Sequence, residues 1–259
     1  MKILKLAIAF LTALNLNAKS DEKTIVVGVS PVPHAEILEV VKPKLKEQGY
    51  ELVISEITDY SIPNIATNDG DLDANFFQHE PYLNEHNKNR NTDLVKVVAV
   101  HLEPLGFYSN KIKNINELKD NATIAIAHDP TNGNRALRIL QDAGLITLDE
   151  SAVLATPADI VKNPKGLKFV EIEGALIPRS LNDVDLAAIS TNFVLDMGLN
   201  PSKDALIIES TNSPYANIIA TKRGSENSPK IKALNNAVRS DEVRNFIINR
   251  YKGAVIPAF

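Results

Sequence analysis

The densest chemistry in this chain lies in Asp73-Ala74-Asn75-Phe76-Phe77-Gln78-His79-Glu80-Pro81-Tyr82-Leu83, where two aromatics, an amide, an imidazole and a phenol stand close together. Such a mixture suits a pocket that is apolar along its walls and polar at one end. Further along, Asp129-Pro130-Thr131-Asn132-Gly133-Asn134-Arg135 reads as a helix start that carries an arginine. Asp129 can cap the first amides, and the helix start favours an anion nearby. Arg135 stands about one and a half turns in and can reach back to a carboxylate in a bidentate pair. Phe77, Tyr82 and Tyr60 are the candidates for an apolar slot. An apolar wall plus a cation at a helix mouth suits a small amphiphilic anion, and an amino acid with an apolar side chain fits.

Other chemistries find little support. His79 and His86 would stand about 10 Å apart along a shared helix, too far to share a metal readily. His79-Glu80-Pro81-Tyr82-Leu83 matches the zinc signature His-Glu-x-x-His only in its first two residues, with Leu83 where the second histidine belongs. There is no Gly-x-Ser-x-Gly elbow, phosphate loop or dinucleotide fingerprint, and with no cysteine there is no thiol nucleophile. The expectation is therefore no enzyme, no catalytic residue, no metal and no cofactor. The formal charge of −4 and the lack of a basic cluster argue against nucleic acid as a partner.

Alternating apolar runs and amphipathic stretches must position these residues. Strands are expected at 24–29, 51–57, 73–77, 94–100, 122–127, 168–172, 186–189 and 218–221. Helices are expected at 34–48, 62–68, around 82–89, at 115–118, at 129–143, and at 229–238 and 241–251, with Gly49, Gly70 and Gly144 as stops. This alternation predicts an α/β chain with parallel sheets and crossover helices. Breaks near Leu105 and Thr221 suit two lobes: 19–106 plus 222–259 as the first, and 107–221 inserted as the second. A ligand would then bind in the cleft, at the carboxyl ends of the strands.

The first eighteen residues read as a signal peptide: Lys2 and Lys5 lead an almost wholly apolar run, Leu6 to Leu16, and Ala18 offers a small residue for cleavage. About 240 residues then remain, enough for one large domain or two lobes. Without cysteine the protein is held by its core alone and has no thiol for a lipid anchor. A soluble protein of the periplasm is expected.

Several stretches together resemble the NlpA-type substrate-binding proteins of methionine ABC importers. They are Ser30-Pro31-Val32-Pro33-His34-Ala35-Glu36, Asp59-Tyr60-Ser61-Ile62-Pro63-Asn64, the 73–83 segment, Asp129-Pro130-Thr131-Asn132, Pro178-Arg179-Ser180-Leu181 and Ser213-Pro214-Tyr215-Ala216-Asn217. The resemblance implies a two-lobed periplasmic binding protein of type II-like fold, each lobe a mixed sheet flanked by helices, closing on L-methionine and docking as a monomer on a membrane ABC permease. It implies that Tyr60, Phe77 and Tyr82 hold the ligand side chain. Arg135 would bind the α-carboxylate, Asn217 the polar end, and His79 would bond nearby. The chain departs from the family where Ser190 replaces a common asparagine; a serine hydroxyl reaches less far than an amide. Either a water bridges the gap, Asn192 compensates, or the ligand differs. The alternatives are a methionine-containing dipeptide or another apolar amino acid.

Overall fold

The computed structural model describes residues 22–259, so the signal peptide expected over 1–18 lies outside the described residues. The first sheet starts with β1 (Thr24–Val29), β2 (Glu51–Glu56), β3 (Ala74–His79) and β4 (Leu94–Leu102), connected by α1 (Glu36–Glu47), α2 (Pro63–Asp69) and α3 (Glu80–Arg90). The chain crosses through Glu103-Pro104-Leu105 into a second sheet. There it forms β5 (Gly106–Tyr108), β6 (Thr123–Ala127), α4 (Pro130–Asp142), the ribbon β7 (Thr147–Leu148) and β8 (Ile160–Lys162), and β9 (Lys168–Ile172). β10 (Leu186–Ile189), α5 (Thr191–Asp196), α6 (Pro201–Asp204) and β11 (Ile207–Ile208) follow. The return is β12 (Ala216–Lys222), and α7 (Pro229–Val238), α8 (Asp241–Tyr251) and β13 (Ile256–Pro257) close the chain.

Both sheets are mixed, where the alternation of elements predicts parallel ones. The first runs β13-β4-β12-β3-β1-β2 and the second β11-β5-β10-β6-β9. β1 pairs in parallel with β2 and β3, but β12 pairs antiparallel with both β3 and β4. The reason is topological: β12 enters from the other sheet without a crossover helix, so nothing forces it parallel. Its position also moves one expected boundary. Residues 216–221 lie in the first sheet, so the chain returns ahead of position 221. The helix expected from His34 starts at Glu36 instead. Val32, which precedes Pro33, is held extended, and 31–35 form a separate turn.

Each sheet is buried by side chains that alternate along its strands. Ile25, Val27 and Val29 of β1 join Ile37, Leu38 and Val41 of α1 and Leu234 of α7 in the first core. In the second sheet, Ile124 and Ile126 of β6 pack beneath α4 with Leu137 and Leu140, while Ala125 and Ala127 face Phe193 and Ile177 on the other side.

Two local irregularities position the site. Ile219 of β12 pairs with Phe76 while Ile218 pairs with Gln78, so Phe77 is the extra residue of a bulge. Bulges re-aim side chains, and this one lies in the stretch richest in chemistry. The second is the contact of α4 with β6: a Cβ at Gly133 would lie 2.7 Å from the carbonyl oxygen of Ala127. Glycine therefore sets how closely the helix carrying Arg135 approaches the carboxyl end of β6. Gly133→Ala should lower stability by about 1–3 kcal/mol through overpacking, a fall in melting temperature of roughly 2–12 °C. A variant that melts at the wild-type temperature would show that α4 can shift at no cost.

Candidate functional site

A cavity of about 370 Å³, its mouth included, lies between the two sheets. Its lining contains all eight residues singled out from the sequence: Tyr60, Phe77, His79, Tyr82, Arg135, Ser190, Asn192 and Asn217. Gln78, Glu103, Asn132 and Thr191 complete it. A larger outer cleft of about 1140 Å³ shares Tyr60 and Tyr82 with it and is lined from both sides, by Glu85, His86 and Arg90 on α3 and by His128, Asp129 and Thr131 at the start of α4. That cleft is the approach from solvent.

The apolar end is an aromatic slot. The ring of Tyr60 stands 5.6 Å from Phe77 and 6.3 Å from Tyr82, and the Phe77 and Tyr82 rings meet edge to face at 5.8 Å. Phe193, which the sequence reading missed, stacks behind Tyr60 at 5.4 Å. These are favourable separations for aromatic pairs. The slot is anchored across the cleft, because the Tyr60 hydroxyl donates to Asn192 Oδ1 at 2.8 Å.

The polar end is built on the starts of α3, α4 and α5. His79 caps α3: its Nδ1 accepts from the Tyr82 amide at 3.1 Å, so the proton sits on Nε2, which donates to Asn132 Oδ1 at 3.0 Å. Both ring nitrogens are thus spent inside the protein, and His79 forms wall and scaffold. The Asn132 side-chain amide donates to Asp129, the cap of α4, and its oxygen serves His79. Ser190 precedes α5 without capping it and also borders a second cavity of about 270 Å³. Asn192 donates its backbone amide to Glu103 Oε2 at 2.9 Å.

Arg135 is only 4% exposed. Its Nε donates to Glu209 Oε1 at 2.9 Å, and Nη2 donates to Glu209 Oε2 and to the Glu103 carbonyl oxygen. Its guanidinium lies 4.5 Å from the centre of the Tyr215 ring. Glu209, a side chain of the same chain, thus takes the bidentate pairing that the sequence reading reserved for a ligand carboxylate. Nη1 is left for a further acceptor. Glu209 lies in Ile208-Glu209-Ser210, which carries no sequence signal; only the fold brings it to Arg135.

Behind this end, His34, His101 and Glu103 converge, with one ligand atom of each within 4.8 Å of the others. His101 Nε2 lies 2.6 Å from Glu103 Oε1, and His34 Nε2 lies 3.1 Å from Asn217 Oδ1 and 3.4 Å from Glu103 Oε1. His101 is hydrogen-bonded to Glu103 and His34 to Asn217, and His34 meets Glu103 as a close polar contact.

Burial pushes His34 down to about 4, and His79 and His101 to about 3. The unfolded chain binds these protons near the ordinary value of 6.5, where the folded protein does not. Stability is therefore fully present above that value and falls as the pH drops from 6.5 toward 4. Urea unfolding at pH 7.5 and pH 5 should show this loss, with a shallower pH slope in His101→Gln. A flat profile would contradict buried neutral histidines.

A family model described as NlpA lipoprotein matches residues 25–259. The chain is 45% identical over 250 residues to the methionine-binding lipoprotein MetQ of Bacillus subtilis, covering 94% of this chain and 91% of that one. It is 40% identical over 242 residues to the D-methionine-binding lipoprotein MetQ of Salmonella typhi, covering 92% and 89%. A solved structure of a nutrient binding protein from Burkholderia cenocepacia bound to methionine matches with a TM-score of 0.88 at 42% identity, over 91% of this chain and 100% of that one.

Proposed function

The chain belongs to the NlpA lipoprotein family, and from that membership we propose that it captures L-methionine in the periplasm and delivers it to a membrane ABC importer. It is a substrate-binding protein and not an enzyme, and its fold is the two-lobed α/β type of periplasmic binding proteins, each lobe a mixed sheet flanked by helices. The two sheets are the cores of the two lobes, which close on the ligand about the crossing segments 103–105 and 209–215.

The observation that carries this reading is the cavity itself. One buried space joins an aromatic slot to a cationic, amide-lined end. Tyr60, Phe77 and Tyr82 take the thioether side chain, a soft group that packs well on aromatic rings. Nη1 of Arg135 takes the α-carboxylate while Glu209 holds the other side of the guanidinium. His34 holds the oxygen of Asn217, which leaves the Asn217 amide as a donor toward the ligand. Asn192, whose Oδ1 accepts from Tyr60, supplies with its side-chain NH2 the amide that Ser190 lacks.

The second reading, a methionine-containing dipeptide or another apolar amino acid, rests on the short side chain of Ser190 in the lining of the site. Among the described residues no helix is long and apolar enough to cross a membrane. The relatives are named lipoproteins. A monomeric carrier that docks on its permease completes the proposal.

A hydrogen bond to a charged group contributes roughly 1.5–3 kcal/mol. Arg135→Ala should therefore weaken methionine binding at least about tenfold in calorimetric titration, with a melting curve to establish that the variant is folded. Unchanged affinity in the folded variant would refute the carboxylate role of Arg135.

A further inference from the structure

Two hydrogen bonds cross the cleft between protein groups alone. The Tyr60 hydroxyl donates to Asn192 Oδ1, and Nε2 of His79 donates to Asn132 Oδ1 at 3.0 Å. The second joins two helix starts. His79 ends β3 and caps α3 in the first lobe, and Asn132 lies in the first turn of α4 in the second. They are 5% and 7% exposed, and α3 packs against α4.

Each lobe holds its half of this bond ready. The Tyr82 amide donates to Nδ1 of His79, which leaves the proton on Nε2 and aims it at the other lobe. The Asn132 side-chain amide donates to both oxygens of Asp129, at 3.2 and 3.1 Å, which turns its own oxygen toward His79. Donor and acceptor therefore meet with little ordering left to do when the lobes close. A neutral hydrogen bond of this kind shifts a two-state equilibrium by roughly twofold to tenfold.

The pair works only while the imidazole is neutral. A proton on Nδ1 would face the Tyr82 N–H, and the cation would stand near Arg135. The groups around the ring are Arg135 on α4 with its partner Glu209, Asp129 beyond Asn132, and the Tyr82 and Tyr215 rings at 6.2 and 4.9 Å. On the β12 side stands Asn217, with His34 and Glu103 behind it. Burial holds His79 down to about 3, and Arg135 pushes the same way. Opening the cleft returns the ring to water, where it takes its proton near the ordinary 6.5. The open arrangement thus binds a proton that the closed one refuses, so acidity below that value favours opening.

We infer that His79 and Asn132 are positioning residues, a clasp that draws the two lobes closed before any ligand arrives and that opens in acid. The inference concerns closure and holds for any ligand of the cleft, so it goes beyond the methionine reading and does not rest on it.

The test is the distance between the lobes, read by pulsed electron paramagnetic resonance between spin labels on Glu47→Cys in the first lobe and Lys113→Cys in the second. Both positions are exposed, and the sequence contains no other cysteine. The protein freed of ligand should show, at pH 7.5, the distance of the present closed structure beside that of an open one. His79→Asn keeps a cap acceptor for α3 but falls short of Asn132. It should lower the closed-to-open ratio roughly twofold to tenfold without ligand, and weaken methionine binding by up to the same factor. Asn132→Ala should do the same from the other lobe, and it decides the matter if His79→Asn does not fold. His79→Gln, which keeps an N–H for Asn132 and cannot titrate, should retain the closed distance at pH 5, where the wild type opens. Unchanged ligand-free distances in His79→Asn and Asn132→Ala, or weaker methionine binding with no change in distance, would overturn the clasp. So would a ligand-free wild type that is open throughout at pH 7.5. A protein that shows the clasp and does not bind methionine would overturn methionine capture alone.

Discussion

A cation buried between two lobes must be neutralised by the protein that buries it, and much of this site follows from that constraint. Removing a guanidinium from water costs several kcal/mol unless charge and hydrogen bonds replace the solvent. Glu209 supplies the charge, and the Glu103 carbonyl and the Tyr215 ring supply much of the rest. Glu209 is held in turn by the Leu105 amide at 3.2 Å and the Ser213 hydroxyl at 3.1 Å. The two crossing segments therefore run together at Arg135. The residue expected to meet the ligand is also the one that ties both crossings to α4.

This arrangement links recognition to closure. Tyr60 reaches from the first lobe to Asn192 in the second, and Thr191 donates to the Pro104 carbonyl in the crossing at 2.7 Å. A ligand that touches the aromatic slot and the polar end contacts both lobes at once. Binding energy is then available to favour the closed arrangement, as a ligand can shift an equilibrium only by its differential affinity for the two states. Beneath the slot, α2 is tied to β3 by a buried amide network. Asn64 and Gln78 exchange hydrogen bonds, and Asn75 donates to Asn64 and to Thr67. Satisfied networks of this kind are rigid, and this one supports Gln78 and the approach to Tyr60.

Much of this was legible in the sequence, for identifiable reasons. β1, β9, β10, α7 and α8 are bounded as expected because their apolar periodicity is strong and glycine, proline or a capping residue stands at their ends. The binding residues were legible as types: aromatics beside a histidine and an amide, and an arginine behind a capping aspartate. What was hidden is non-local. The bulge at Phe77 depends on the register of β12, a strand far along the chain. Glu209 and Glu103 are ordinary surface-type residues until the crossings bring them to Arg135, and β5, β11 and β13 are too short for any period to show. The family resemblance carried the ligand's identity; the residues alone stopped at a small amphiphilic anion such as an amino acid with an apolar side chain.

The most direct measurement is native mass spectrometry of the protein as purified, with the released ligand identified and methionine then added back. One methionine per chain, carried from the cell or taken up on addition, is the predicted result. A protein that retains some other molecule and refuses added methionine would contradict the account at its centre.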